Sequence, residues 1–197
     1  MLIFTKATLR RAALSQRKLL TNKEIKLRSE QLRDQLFQHF SVAEWRWLHV
    51  FLPLAQKNEP DTWLIIRRIW AEKLPVRLAV PVVQSDNISL KHYELVPTTS
   101  LLTNRWGIPE PAADPATEVA PARLDAVLVP LLACDLQGQR VGYGGGFYDR
   151  FLAQCRPQTL FIGLSVLDEA PVAAIADVRP TDVPLHAVIT PGGVWNF

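Results

Sequence analysis

Short apolar segments bounded by turn residues are the feature that most constrains the fold of this chain. Residues 48–54 read LHVFLPL, residues 126–132 read AVLVPLL, and residues 160–166 read LFIGLSV. Such nearly continuous apolar runs are typical of strands buried on both faces, as in a parallel sheet. The same reasoning adds strands at residues 77–83, 89–95 and 187–190.

Segments with helical spacing separate these strands. Thr5 can cap a first helix, Thr21 and Glu24 form a T-x-x-E capping box for a second, and the turn at 59–62 opens a third. A further helix is predicted at 148–155. Because strands alternate with helices, we expect an α/β fold, a three-layer sandwich around a mainly parallel sheet with N-terminal helices.

Composition narrows the class of protein. The chain has 197 residues, of which 48% are hydrophobic, and one domain over residues 1–197 is expected. The longest apolar run, 126–134, is nine residues, whereas a membrane-spanning helix needs about 20. Two cysteines, Cys134 and Cys155, cannot build a disulfide framework, which fits a reducing, cytoplasmic setting.

Positive charge is concentrated at the N-terminus. Residues 1–33 hold nine basic and two acidic side chains, whereas the other 164 residues hold thirteen and seventeen. A basic end on a mildly acidic body suggests an anionic partner, which is a nucleic acid, a phosphate or the acidic body itself. A solvated basic helix face accounts for the same pattern.

A glycine cluster between a strand and a helix is the clearest candidate ligand site. Gly142, Gly144, Gly145 and Gly146 stand within five residues. Glycines permit positive φ and let backbone N–H groups approach an anion closely, and Asp149 after them is a hard ligand suited to Mg²⁺. The cluster is neither a Walker loop, because no Lys-Ser/Thr pair follows it, nor a dinucleotide fingerprint. An ordinary glycine-rich turn is the alternative.

The segment 138–149, GQRVGYGGGFYD, closely resembles the signature of the 5-formyltetrahydrofolate cyclo-ligase family (5,10-methenyltetrahydrofolate synthetases). Other pieces stand in the family's order: K-x-x-x-R at 6–10, EPDT at 59–62, WGIPEP at 106–111, and the segment 182–191. The resemblance therefore spans nearly the whole chain. It implies ATP- and Mg²⁺-dependent closure of 5-formyltetrahydrofolate, with or without a polyglutamate tail, to 5,10-methenyltetrahydrofolate, with release of ADP and phosphate.

The resemblance also implies roles for individual residues. The catalytic residues would be Arg140, Tyr148 and Asp149, and Asp149 and Asp182 would be the metal ligands. ATP would contact Lys6, Arg10, Arg140, Gly142, Tyr143, Gly144, Gly145, Gly146, Phe147 and Tyr148. The folate would contact Leu52, Glu59, Trp106, Tyr143 and Phe147.

The chain departs from the family pattern at three positions. Tyr143 stands where relatives often carry Arg, which removes a phosphate-facing charge. Gly145 stands where some relatives have Lys, and His186 where some place a second metal carboxylate. Imidazole is a poor Mg²⁺ ligand, so either Asp182 substitutes or Asp149 holds the ion mainly through water.

Three alternatives remain open at this point. The first is an inactive or repurposed paralogue that binds a nucleotide or a phosphorylated small molecule. The second is another α/β enzyme that acts on a phosphorylated sugar or a coenzyme A ester. The third is a nucleic-acid-binding protein that uses the basic helices, which leaves the glycine cluster unexplained. The sequence favours a small-molecule substrate with no membrane partner, and it leaves the oligomeric state unknown.

Overall fold

The computed structural model describes residues 4–105 and 107–197 of the chain. The α-helices in these ranges are α1 (Lys6–Leu19), α2 (Asn22–His39), α3 (Trp63–Ala71) and α4 (Phe147–Leu152). The first strands are β1 (Trp47–His49), β2 (Arg77–Val83), β3 (Leu90–Leu95), β4 (Leu101–Thr103) and β5 (Pro109–Pro111). The later strands are β6 (Ala126–Pro130), β7 (Ala133–Cys134), β8 (Arg140–Val141), β9 (Leu160–Leu164), β10 (Ala187–Thr190) and β11 (Gly193–Asn196).

The first two helices begin where the capping residues predict. The Thr5 side chain accepts a hydrogen bond from the Thr8 N–H, and the Thr8 side chain returns one to the Thr5 backbone. Thr21 and Glu24 complete the same reciprocal capping box at the start of α2. Both motifs satisfy N–H groups that a helix start leaves free.

Seven strands form the central sheet in the order β11-β10-β9-β6-β1-β2-β3. The five inner strands, β10 to β2 in that order, are parallel, whereas β3 and β11 join the edges antiparallel. This mainly parallel sheet confirms the predicted α/β class. The hairpins β4-β5 and β7-β8 lie outside the sheet.

Alternating residues of each inner strand face two separate cores. On one face, Leu48 and Leu128 join the buried side chains of α2 and α3. On the other face, Val127 and Val129 pack with Phe151 of α4. Because side chains of a strand alternate between faces, the inner strands must be apolar on both, which is why they read as continuous apolar runs.

The ends of several elements differ from the sequence prediction. The strand predicted at 48–54 ends at His49, those at 126–132 and 160–166 end at Pro130 and Leu164, and the helix predicted at 148–155 covers Phe147–Leu152. The apolar residues beyond the strand ends stay buried without pairing, as Phe51 and Leu52 do. The apolar runs therefore continue beyond the last paired residue of each strand, because apolar residues also form the walls of a cavity.

Candidate active site

A large cavity lies where the strand order changes direction. The chain continues from β1 to β2 on one side and later returns to β6 on the other side of β1. Crevices at the carboxyl ends of strands at such a point are the usual ligand sites of open α/β sheets. Here a cavity of about 1220 Å³ is lined by residues that follow β1 and β6, by the start of α1, and by the segment 177–183.

Residues 142–146, called the glycine loop below, form one wall of this cavity. Gly144 has φ +102° and Gly146 has φ +66°, which are conformations that side chains with a Cβ adopt only under strain. Arg10 Nε donates to the Gly142 carbonyl at 2.7 Å, and Arg150 Nη2 donates to the Gly145 carbonyl at 2.8 Å. Arg10 on α1 and Arg150 on α4 therefore both hold the backbone of the glycine loop in place.

Arg140 places a buried positive charge beneath the glycine loop. Its Nη2 donates to Asp149 Oδ1 at 2.7 Å, and its Nε is buried without a hydrogen-bond partner among the described residues. Burial lowers the pKa of Arg140, although Asp149 opposes that effect. A buried cation with unused donor capacity at a cavity wall is suited to bind an anion.

A second ion pair, between Lys6 and Asp182, also lines this cavity. Lys6 Nζ donates to Asp182 Oδ2, which also accepts the Arg179 N–H at 2.6 Å. These hydrogen bonds, together with the charges of Lys6 and Arg140, hold the pKa of Asp182 low although burial opposes them. Asp182 and Asp149 therefore both stand in the field of the Arg140 guanidinium.

The carboxylate of Glu59 lies on the β1 side of the cavity and is 5% exposed. Its Oε2 accepts the Leu54 N–H and its Oε1 accepts the Tyr143 hydroxyl, both at 2.8 Å. Burial raises the pKa of Glu59, and the hydrogen bonds from Leu54 and Tyr143 and the charge of Arg17 act in the opposite direction. Glu59 therefore lines the cavity and is more than an acidic residue before a helix.

The remaining walls near Glu59 are apolar and aromatic. Leu52 is 4% exposed, and it lines the cavity with Phe51, Phe147 and Tyr148. The Tyr148 hydroxyl is buried without a described partner, and burial raises its pKa. A pocket with apolar walls and few placed polar groups is the usual form of a small-molecule site.

The cavity brings together the residues that the sequence nominated, with one exception. The residues that line it are Lys6, Arg10, Leu52, Glu59, Arg140, Gly142, Tyr143, Gly144, Gly145, Gly146, Phe147, Tyr148, Asp149 and Asp182. Trp106 lies outside the described residues. The roles given to these residues stay predictions, since placement alone tests none of them.

His186 does not stand where a second metal ligand was considered. It is exposed, its Nδ1 accepts the Phe161 N–H at 2.9 Å, and it does not line the cavity. The reason is its position just before β10, where the imidazole turns towards β9. Asp182 and Val183 are the residues of the segment 182–191 that line the cavity.

Two arginines of the site were missed by the sequence reasoning. Arg150 holds the glycine loop, and Arg17 is buried at 1% exposure beside Tyr143. Arg17 follows the nominated Arg10 by seven residues, whereas Arg150 directly follows Asp149. That spacing could have suggested Arg17, because residues seven apart share a helix face.

Two further histidines, His49 and His92, are buried. Their rings are 4.9 Å apart and both pack on Phe151. Both nitrogens of His49 and Nδ1 of His92 are buried without described hydrogen-bond partners. Burial lowers the pKa of His92 to about 4 and holds that of His49 well below its usual value.

The described residues contain no group of three or more His, Cys, Asp or Glu side chains placed to hold a metal ion. Asp149 and Asp182 nevertheless fit a divalent ion that takes its other ligands from phosphates and water, which is how Mg²⁺ is usually held. Each uses one carboxylate oxygen for its ion pair, and the described residues give no hydrogen bond to Asp149 Oδ2 or Asp182 Oδ1.

None of the described helices has the length and apolar character to cross a membrane.

The fold and the cavity define an α/β protein in which one wall with buried cations and a separate wall with a buried carboxylate face a single cavity. Comparison with protein families then identifies the group: residues 3–191 match the model of the 5-formyltetrahydrofolate cyclo-ligase family, and the chain belongs to that family. The match covers every residue that lines the cavity.

Individual relatives agree with this assignment. The chain is 31% identical to the 5-formyltetrahydrofolate cyclo-ligase of Escherichia coli K12 over 185 residues, which is 92% of this chain and 97% of that protein. The NMR structure of Aquifex aeolicus 5,10-methenyltetrahydrofolate synthetase superposes with a TM-score of 0.79 and 26% identity, covering 97% of this chain and 92% of that one. The synthetase of Mycoplasma pneumoniae shares the fold, with a TM-score of 0.70, 21% identity, and coverage of 94% and 98%.

Proposed function

We propose that this cavity carries out the reaction of the family, the ATP-dependent cyclisation of 5-formyltetrahydrofolate to 5,10-methenyltetrahydrofolate. One observation carries the proposal: a single cavity pairs a buried cation that has unused donors, Arg140, with a buried carboxylate, Glu59. A reaction that transfers a phosphoryl group from an anionic nucleotide to a flat heterocycle with N–H groups needs both.

The chemistry explains why phosphate binding is required. A formamide oxygen is a very poor leaving group, so the formyl oxygen first attacks the γ-phosphorus of ATP and ADP departs. N10 of the folate then attacks the activated carbon, the phosphate leaves with the C–O electron pair, and N10 loses its proton. Phosphoryl transfer depends mainly on positioning and on cations around the moving charge.

The phosphate side of the cavity is assigned to Lys6, Arg10, Arg140 and the glycine loop. Lys6 and Arg10 are one helical turn apart on α1 and both line the cavity. Arg140 lies beneath the loop and donates to Asp149. We infer that Arg140 stabilises the negative charge of the transition state. Its side chain is more deeply buried than that of Lys6, and a buried charge interacts more strongly.

The folate side is assigned to Glu59, Leu52 and Phe147. A carboxylate has about four lone-pair sites, and Glu59 uses one on each oxygen for Leu54 and Tyr143. One site on each oxygen remains, which suits the paired N–H donors of a pterin edge. Leu52 and Phe147 would enclose the flat ring, and Trp106 stays assigned to the same task by its sequence context alone.

Mg²⁺ would be held by Asp149 and Asp182 together with the nucleotide phosphates. When bound, the ion would neutralise charge on the phosphoryl oxygens. The protein's own part is to hold the two carboxylates: Arg140 and the Val183 N–H fix Asp149, and Lys6 and the Arg179 N–H fix Asp182.

The test is an absorbance assay of purified protein with 5-formyltetrahydrofolate, Mg²⁺ and ATP. The methenyl chromophore should appear only when ATP is present. Asp149→Ala should abolish turnover, whereas Glu59→Ala should mainly raise the KM for the folate. If folded, ATP-binding protein forms no methenyl product, the proposed function is wrong; if both variants keep wild-type kinetics, only the residue assignment is wrong.

A further inference from the structure

Arg17 is a buried arginine with no direct carboxylate partner among the described residues. It is 1% exposed, and its guanidinium donates from Nη2 to the Leu131 carbonyl and from Nη1 to the Tyr143 hydroxyl, the latter at 3.1 Å. Its Nε is buried without a described partner. A buried charge is costly unless a counter-charge lies near, so the identity of that counter-charge matters.

The nearest anion that the contacts reveal is Glu59, one hydroxyl away. Tyr143 accepts from Arg17 and donates to Glu59 Oε1 at 2.8 Å, so its single hydroxyl proton points at the carboxylate. The charge of Arg17 also lowers the pKa of Glu59. Arg17, Tyr143 and Glu59 therefore form an ion pair bridged by a hydroxyl.

The hydrogen bonds between Arg17, Tyr143 and Glu59 join three segments that carry the two sides of the site. Arg17 lies on α1, three turns after Lys6, and Tyr143 belongs to the glycine loop. Asn58, next to Glu59, donates from Nδ2 to the Arg17 and Leu20 carbonyls at 2.6 and 3.2 Å and so ties that segment to the end of α1. The contacts of Glu59 are thus fixed by the elements that carry the phosphate-side residues.

We propose that Arg17 and Tyr143 are positioning residues for the folate, which hold Glu59 ionised and oriented through the Tyr143 hydroxyl. This inference rests on the proposed function, because it assumes that Glu59 meets the pterin edge. It gives Tyr143, which stands where an arginine contact to phosphate was expected, a task on the folate side. The exposed part of the Tyr143 ring remains at the cavity wall.

The first test is Tyr143→Phe, which removes the hydroxyl and keeps the ring. The KM for 5-formyltetrahydrofolate should rise about tenfold or more, because a hydrogen bond to a charged group is lost. The KM for ATP should change less than twofold. Tyr93→Phe is the matched control, because Tyr93 is on β3 and does not line the cavity.

A double-mutant cycle with Glu59→Gln separates this role from a general structural one. If Tyr143 acts through Glu59, Tyr143→Phe should have little further effect on the folate KM in the Glu59→Gln background. The pH dependence gives a second measurement. The groups that act on the pKa of Glu59 are the Leu54 N–H, Arg17, Tyr143 and Tyr148. Because Tyr143→Phe removes one stabilising donor, its folate KM should begin to rise at a higher pH on acidification than that of the wild type.

The outcomes distinguish failure of the proposed function from failure of the positioning role. If the wild-type protein forms no methenyl product, the proposed function is wrong. If the wild type is active and Tyr143→Phe keeps its folate KM within twofold, or raises the ATP KM as much as the folate KM, the positioning role is wrong and the function stands. Additive effects of Tyr143→Phe and Glu59→Gln would likewise overturn the positioning role.

Discussion

Replacing Arg140 with methionine tests the phosphate side of the site most directly. The substitution removes a cation whose side chain is 7% exposed, its 2.7 Å ion pair with Asp149, and a buried Nε that has no described partner. An arginine that stabilises a transferring phosphoryl group contributes about 10³- to 10⁵-fold to turnover. We therefore expect kcat and kcat/KM for ATP to fall together by about 10³-fold or more.

The same substitution should cost little stability. Breaking a fully buried ion pair costs about 3–5 kcal/mol, but replacing a buried charge by an apolar side chain of similar size is often neutral. The Asp149 side chain left behind is 22% exposed and keeps the Val183 N–H. We expect a loss within about 2 kcal/mol, which corresponds to roughly 4–8 °C in Tm for a chain of this size.

Steady-state kinetics at varied ATP and thermal unfolding of the same preparations check both numbers. Arg156→Met is the control, because it removes an arginine ion pair of 2.8 Å with Asp125 outside the cavity. A folded Arg140→Met protein with less than a tenfold loss in kcat/KM would refute the assignment. An increase in the KM for ATP at unchanged kcat would show that Arg140 binds ATP without stabilising the transition state.

Two further predictions concern stability. His49 and His92 have lowered pKa values in the folded protein, so the unfolded chain binds more protons below about pH 6.5. The free energy of unfolding should therefore fall on acidification from about pH 6.5 to 4, by up to about 1.4 kcal/mol per pH unit for each histidine. Urea unfolding across this range checks it, His92→Phe should make the slope shallower, and an unchanged slope would contradict the explanation. Gly146→Ala places a Cβ at φ +66° and 2.9 Å from Arg150 Nη1; we expect a loss of about 1–2 kcal/mol, and a Tm equal to that of the wild type would contradict it.

The sequence was sufficient for the class of fold and for most of the residues that line the cavity. Apolar runs on both faces of a strand require helices on both faces of a sheet, and the capping boxes of Thr5 and Thr21 fixed where the first helices begin. The strand ends were less predictable. Residues such as Leu52 are apolar because they line a cavity, and apolar character alone does not distinguish a cavity wall from a paired strand.

Pairings between distant residues needed the tertiary structure. Positive φ at Gly144 and Gly146 was predictable from the glycine cluster, but the hydrogen bonds of Arg10 and Arg150 to that loop were not. The direction of His186 away from the cavity was equally invisible, because it depends on how β9 and β10 pair.

By itself, the sequence determined where a phosphate could bind, through its glycine cluster and nearby cations, and its resemblance to the family implied which residues meet the folate. Only the tertiary structure decided that Tyr143 turns to Glu59 and Arg17, residues 84 and 126 positions away. The physical reason is that a buried charge takes its partner from whatever the folded chain brings within hydrogen-bond distance, and that distance is set by packing rather than by position in the sequence.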